Sequence, residues 1–413
     1  MRIFQTISRL LFLALTPLFL TGFLGAQTAQ ATEKQWVKAQ LDFSLQQYKY
    51  LAQEVSAQNA GLPRSLNDDG SLVLVPPKDW TSGFFAGGLW YLYDYSKDEA
   101  ILREAVKYTE QLNTVLQGPY DHDIGFIMMS SFGHAFRLMP HEAYKTQLLK
   151  AAEALASRFN QKVACTRSWD WGPWKFPVII DNLMNMELLY WAAAAGGSAQ
   201  WQDIANQHNN TTMKNHFRPN GSSYHLVDYD PKTAQVLRKQ TVQGYADESS
   251  WSRGQGWALY GYTMAYRFTR NPEFLNQALR VANFILSQDI LRHEPVPPWD
   301  FDVPDQAASL KDSSAGAIYA SAFQELAEYV DNEEATRFLN YADRLLESLS
   351  SERFRASTQG ALHGFLLDHA VGWYTGGSDL DKPLIYGDYY YIEAMVRKLQ
   401  RLEKEESDRK LGS

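Results

Sequence analysis

Apolar residues recur at three- and four-residue steps along nearly the whole chain, the spacing that gives an α-helix one buried stripe. Val37, Leu41, Leu45, Tyr48, Leu51 and Val55 form the first stripe and predict a helix over about 34–58. The same spacing predicts helices near 81–94, 97–116, 124–139, 141–158, 181–195, 198–216, 251–269, 271–289, 312–331, 332–349 and 384–402. No domain-splitting linker separates these twelve segments, so a single domain is expected over 32–413.

The segments alternate in character. Even-numbered ones are apolar nearly all round and rich in small residues, as in Gly83-Phe84-Phe85-Ala86-Gly87-Gly88-Leu89-Trp90. Odd-numbered ones are amphipathic and charged, as in Ile101-Leu102-Arg103-Glu104-Ala105-Val106-Lys107-Tyr108. A helix apolar on every side is buried, whereas an amphipathic one faces water. Six inner and six outer helices in alternation predict an all-α (α/α)6 barrel. The alternative, an α-solenoid, would show a repeat of fixed period, and none is visible. In such a barrel every inner helix starts at the same end. Asp123, Asp181, Arg253, Asp312 and Asp388 therefore belong to one mouth, where helix N-termini also favour an anionic ligand.

Two stretches break the helical rhythm. Residues 161–180 hold Trp169-Asp170-Trp171-Gly172-Pro173-Trp174, and residues 222–243 read as a β-hairpin turning at Asp230-Pro231-Lys232-Thr233. Both flank the sixth helix and should overhang the same mouth, as lids or subsite walls.

The first 31 residues read as a secretory signal. Arg2 and Arg9 supply the positive start, Leu10 to Ala26 the apolar stretch, and Ala29-Gln30-Ala31 the cleavage site. A mature chain beginning near Thr32, periplasmic or secreted, is expected. The lone Cys165 rules out an intramolecular disulfide, and without Cys clusters a structural zinc site is not expected. Net charge is −8, or −10 without Arg2 and Arg9, which excludes nonspecific capture of nucleic acid or of an acidic polymer. An anionic ligand would have to be held by a few local Arg and His residues.

Against that background Asp123 and Asp181 stand out, each the first acid of an apolar helical segment with aromatic neighbours. Carboxylates beside so much apolar surface are costly to bury unless paired or used. Either one alone is most often a helix N-cap. As a pair on one rim, in a chain with 12 Trp, 23 Tyr and 21 Phe, they point to acid–base chemistry on a sugar. His122 supports Asp123, and His225 projects from the hairpin. In Trp251-Ser252-Arg253-Gly254-Gln255-Gly256-Trp257, the spacing puts Arg253 and Trp257 on one helix face. Gly254 and Gly256 weaken that helix start by about 1 kcal/mol each relative to Ala, which suggests close approach of another backbone or a ligand. Arg253 suits bidentate recognition of a carboxylate; the alternative is a structural Arg paired with Asp247 or Glu248. The acids of 379–388 are expected to serve as caps and salt links. Lys382 and the 161–180 loop are candidates for sulfate or leaving-sugar contacts.

These motifs together resemble glycoside hydrolase family 88, the unsaturated glucuronyl hydrolases. The landmarks are Trp80-Thr81-Ser82-Gly83-Phe84-Phe85, His122-Asp123-Ile124-Gly125-Phe126, Asp181-Asn182-Leu183-Met184-Asn185, Trp251 to Trp257, Pro298-Trp299-Asp300-Phe301-Asp302, Asp312-Ser313-Ser314-Ala315 and Leu384 to Tyr390. The resemblance covers essentially the whole mature chain and implies the same barrel. It implies removal of a 4,5-unsaturated uronic acid from the non-reducing end of lyase-generated oligosaccharides, glycosaminoglycan or ulvan fragments, by hydration of the C4=C5 bond without a cofactor. By the same match Asp181 is the general acid/base and Asp123 the second essential carboxylate. Trp80, His225, Gln243, Trp251, Arg253 and Trp257 fall on substrate-binding positions. The chain departs from the pattern at Gly256, where Ala is usual, and in a more aromatic His369-Ala370-Val371-Gly372-Trp373-Tyr374.

Rival readings are an unsaturated rhamnogalacturonyl hydrolase, whose motif usually carries Asn in place of Gln255, and an inverting glycosidase acting on saturated sugars. A glycan-binding protein without turnover is a third, and it would not need both aspartates.

Overall fold

The computed structural model describes residues 16–58 and 61–411, with side chains from Gln30 onward. The outer helices are α1 (Thr16–Gln58), α3 (Glu99–Gln111), α5 (Glu142–Ala156), α7 (Gln200–Asn215), α9 (Pro272–Leu286) and α11 (Asn332–Leu349). The inner helices are α2 (Ser82–Ser96), α4, α6 (Asn182–Ala194), α8 (Ser252–Thr269), α10 (Ser313–Leu326) and α12 (Ile385–Leu411). α4 comprises Ile124–Met128, a π-helical turn over Met129–Gly133, and His134–Leu138. Each inner helix packs on the next and α12 packs back on α2, closing a ring, while an outer helix backs each inner one. Closure excludes the solenoid and gives the (α/α)6 barrel. Small residues permit the close inner packing: a Cβ on Gly83 would sit 2.3 Å from the Ile127 carbonyl oxygen.

Outer and inner helices begin differently. Asp98, His141, Asn271 and Asp331 cap outer helices through their side chains. At the inner starts Thr81, Asp123, Asp181 and Trp251 make no side-chain cap bond; Asp312 does. The mouth thus keeps its helix N-termini for other partners.

Below the mouth, charges tie the inner ring together. Arg267 pairs with Glu187 and, at 3.0 Å, with Glu325, which Arg397 also meets at 2.9 Å. Charges buried in this way are stable only because they are mutually paired. Near the N-terminus, buried Lys398 lies between Glu33 and Asp343, fastening α1 to α12 and α11. Residues 1–15 of the expected signal segment lie outside the described residues, and Ala31 falls within α1. Among the described residues no helix is long and apolar enough to cross a membrane.

The expected hairpin is part of a larger sheet. Leu226–Tyr229 pairs with Val236–Gln240 and, on its other edge, with Pro177–Ile179, so the apolar run before Asp181 is a strand. Trp169 packs on this sheet against Ile179 and Leu226. Two further hairpins, Leu62–Leu66 with Leu72–Val75 and Ala370–Trp373 with Ser378–Lys382, break the all-helical expectation at the mouth.

Candidate active site

The mouth opens into a cavity of about 260 Å³. Asp123, Asp181, His225, Gln243, Arg253 and Trp80 all line it, so six of the eight residues singled out from sequence meet in one place. The other two back it instead. Trp251 is buried edge-on to His225 and under the Arg253 guanidinium, 4.6 Å away. Trp257 is fully buried against Phe126 and Tyr390. Gly254 and Gly256 answer this packing: a Cβ on Gly254 would lie 2.7 Å from the Trp251 ring, and one on Gly256 would press on Ile318 and Tyr319. Neighbouring side chains, not a backbone or a ligand, require these glycines.

Both catalytic candidates stand at the N-cap position of their helices, yet neither side chain makes a capping hydrogen bond, so capping does not explain them. Asp181 is buried, and its Oδ2 has no hydrogen-bond partner in the protein. Burial, then the charge of Asp123, raise its pKa to about 7. Asp123 accepts a long bond from Asn185, at 3.4 Å, and burial holds its pKa well above the ordinary carboxylate range. Asn185 in turn accepts from the Phe126 N–H, and Gly125 leaves it room.

Two histidines set the proton positions. His122 Nδ1 donates to the Ser168 carbonyl at 2.7 Å, which leaves Nε2 3.3 Å from Asp123 Oδ1. His225 is reversed: its Nδ1 accepts from the Val242 N–H at 2.9 Å, so Nε2 carries the hydrogen and faces Asp181 Oδ2 at 3.8 Å. Burial lowers both imidazole pKa values, that of His225 to about 3, so each ring is neutral at pH 7. Gln255 does not reach the cavity. It accepts from the Ser223 N–H at 2.9 Å and holds the segment that carries His225.

Arg253 is buried and paired, but with Asp312 at 3.0 Å rather than with Asp247 or Glu248. It also donates to the Val371 carbonyl and, at 2.6 Å, to the Gly372 carbonyl; only Nε lacks a partner. Gln243 Nε2 reaches the Gly372 carbonyl at 3.3 Å, and the Trp373 indole donates to the Val242 carbonyl at 2.8 Å. The aromatic segment that departed from the family pattern is therefore a wall of the pocket, with Gly372 and Trp373 on its lining. Lys382 is not: it pairs with Asp68 at 2.9 Å, away from the cavity.

Sequence reasoning gave Arg64 no role and offered the 161–180 tryptophans only as lids or subsite walls. Tyr386 packs on Trp80 with ring centres 4.7 Å apart. Arg64 bridges Asp79 and Asp379, at 2.9 and 2.8 Å, and so pins the 370–382 hairpin. Trp169 and Trp171 stack at 4.6 Å and enclose the side nearest Asp121. The cluster of three Trp was the visible signal for the last pair; the Arg64 bridge had none, because Asp379 is 315 residues away.

A larger cavity, about 530 Å³, occupies the other end of the barrel, lined by Glu187, Arg267, Glu393 and Arg397. Its acids are neutralised by arginines, whereas Asp181 at the mouth has no cation in contact. Asp121, His122 and Asp123 place ligand atoms within 4.8 Å of one another, the one grouping of metal-ligating side chains among the described residues. Asp121 is exposed and accepts the Asp123 N–H, Asp123 accepts from Asn185, and His122 is held through Nδ1 while its Nε2 has no hydrogen-bond partner.

The arrangement offers a proton donor of near-neutral pKa, a second carboxyl, a neutral N–H donor and aromatic walls, the equipment for acid–base work on a sugar ring. Known proteins agree. An unsaturated glucuronyl hydrolase of Formosa agariphila is 40% identical over 349 residues, covering 83% of this chain and 86% of its own. The crystal structure of an unsaturated glucuronyl hydrolase specific for heparin superposes with a TM-score of 0.85 at 41% identity, covering 89% of this chain and 97% of the other. That of the enzyme from Bacillus sp. GL1, responsible for the degradation of glycosaminoglycan, gives 0.80 at 29% identity over 88% and 96%. The model of Glycosyl Hydrolase Family 88 matches residues 70–398, and with fold and sequence in agreement the chain belongs to that family of glycoside hydrolases.

Proposed function

We propose that the protein removes the 4,5-unsaturated uronic acid from the non-reducing end of lyase-generated oligosaccharides by hydrating the C4=C5 bond. The observation that carries this is Asp181, buried, with no capping bond from its side chain, and held by burial and Asp123 at a pKa of about 7. At neutral pH such a group is divided between acid and base. Its acid form gives a proton to C4. The resulting carboxylate then takes a proton from the water that adds at C5, and His225 Nε2–H lies where it can steady the anion. The hemiketal so formed opens and releases the leaving sugar. Asp123 serves the ring hydroxyls, and Trp80, Trp171 and Trp373 supply faces for the sugars. Arg253 has both terminal nitrogens engaged, so its contribution to carboxylate recognition narrows to Nε, and its larger task is to hold the pocket wall.

Loss of ultraviolet absorbance from unsaturated disaccharides of chondroitin, hyaluronan, heparin and ulvan tests the reaction directly, because the conjugated double bond absorbs and its hydrated product does not. Decay on at least one is expected and identifies the source polymer. A folded protein that leaves all four unchanged refutes the reading.

We also propose export with cleavage after Ala31. Arg2, Arg9, the apolar stretch and Ala29-Gln30-Ala31 support it. Amino-terminal sequencing of the protein from a periplasmic fraction or culture medium should begin at Thr32; a start at Met1 rejects it.

A further inference from the structure

We propose that a second cavity beside the catalytic pocket binds the third sugar of a longer fragment, an anionic one, through Lys78. The inference rests on the hydrolase reading above and extends it to chain length. The cavity measures about 370 Å³ and shares Asp121, Trp169 and Trp171 with the catalytic pocket, so the two meet at these residues. A chain whose unsaturated end occupies the first cavity has this one as a continuation.

Its lining suits a sugar. Val115, Ile124 and Ile127 are buried and make an apolar floor. Trp171 is 53% exposed yet fixed, stacked on Trp169 and edge-on to Trp174. An exposed indole held so firmly is a platform for a sugar face at small entropic cost. Asp170, beside it, is neutralised by Arg158 and Arg167, both at 3.0 Å. Lys78 lies on the same lining, exposed, and among the described residues it forms no ion pair; its Nζ meets only the Pro119 carbonyl, at 3.5 Å. Asp121 is the one carboxylate of the lining outside the Asp170 pairs, and it is engaged by the Asp123 N–H.

The chemistry of the fragments identifies the ligand. Lyases acting on polymers of alternating uronate and a second sugar leave an unsaturated uronate first, the leaving sugar second and an intact uronate third. The third unit brings a carboxylate to the cavity that holds the unpaired lysine. A disaccharide ends before it.

The test compares unsaturated di- and tetrasaccharides from chondroitin, hyaluronan, heparin and ulvan on the wild type and on Lys78→Ala and Lys78→Glu. Wild type should show a KM for tetrasaccharide about three- to five-fold below that for disaccharide, the range of an exposed charge pair. Lys78→Ala should remove this advantage and Lys78→Glu reverse it, both leaving disaccharide kcat/KM unchanged. Added salt should erode the advantage in wild type. Equal KM for both lengths, or an advantage that survives both substitutions, overturns the subsite and leaves the hydrolase reading intact. Binding to Asp181→Asn, followed by tryptophan fluorescence, separates the two further: a Lys78-dependent preference for tetrasaccharide without turnover in wild type supports the subsite while the hydrolase reading fails. Neither binding nor turnover of either length refutes both.

Discussion

Asp181→Asn should abolish turnover while the protein still binds its substrate. The substitution keeps shape and removes the pocket carboxyl whose pKa of about 7 suits it to give and take a proton. Loss of a positioned acid–base group costs about 10²- to 10⁴-fold in kcat, and here one side chain serves both steps, so the upper end is expected. Binding affinity should change little, because the remaining polar and aromatic lining is untouched. A variant with wild-type kcat would sink the assignment of Asp181. The pH profile gives a second, independent reading. The first step needs protonated Asp181, so kcat/KM should be sustained below pH 7 and fall as pH rises through about 7. The charge of Asp123 contributes to that raised value, second to burial, so Asp123→Asn should move the alkaline limb to lower pH as well as depress the rate. An unmoved limb would show that the two carboxyls do not sense each other.

The barrel was legible in the sequence because its cause is local. Inner helices such as Gly83–Trp90 are apolar on every face, outer ones carry a single stripe, and this difference fixes who is buried. All twelve expected helices are present, with α1 extending back to Thr16. The rim followed from the alternation, and His225 from the hairpin beside the sixth helix, so Asp123, Asp181, His225 and Arg253 could be brought together without any knowledge of contacts. What stayed hidden depends on pairing across the chain. Arg64 with Asp379, and Arg253 with Asp312, join segments whose neighbours say nothing about one another. The 370–382 hairpin has too few residues to show a strand period, and its importance lies in carbonyls that sequence does not distinguish. Trp251 and Trp257 were assigned to the substrate because the motif carries them, but a motif is kept as much by packing as by contact. Both rings hold the pocket from behind.

Asp312→Ala should be among the most damaging substitutions outside the catalytic pair. Asp312 is fully buried and does three things at once. It caps α10 through the N–H groups of Ser314 and Ala315, pairs with Arg253, and lies 3.5 Å from the Val371 N–H. Removing it strands the Arg253 guanidinium in the interior, a loss of about 3–5 kcal/mol, and forfeits a helix cap worth about 1 kcal/mol. The urea midpoint should fall accordingly. Asp312→Asn keeps the capping oxygen and should lose less. Because Arg253 also grips the carbonyls of Val371 and Gly372, the hairpin that carries Trp373 loosens with it, and KM should rise further than kcat falls. Asp312 thus acts as a positioning residue, through Arg253 and the hairpin. A double variant separates this from a purely structural role: Arg253→Met with Asp312→Leu, apolar at both positions, should recover much of the stability. It should leave the raised KM uncorrected, since nothing then clasps the hairpin. Recovery of both together would mean that the clasp has no part in substrate binding, and an Asp312→Ala protein that unfolds like wild type would mean that the pair itself is not what holds this wall in place.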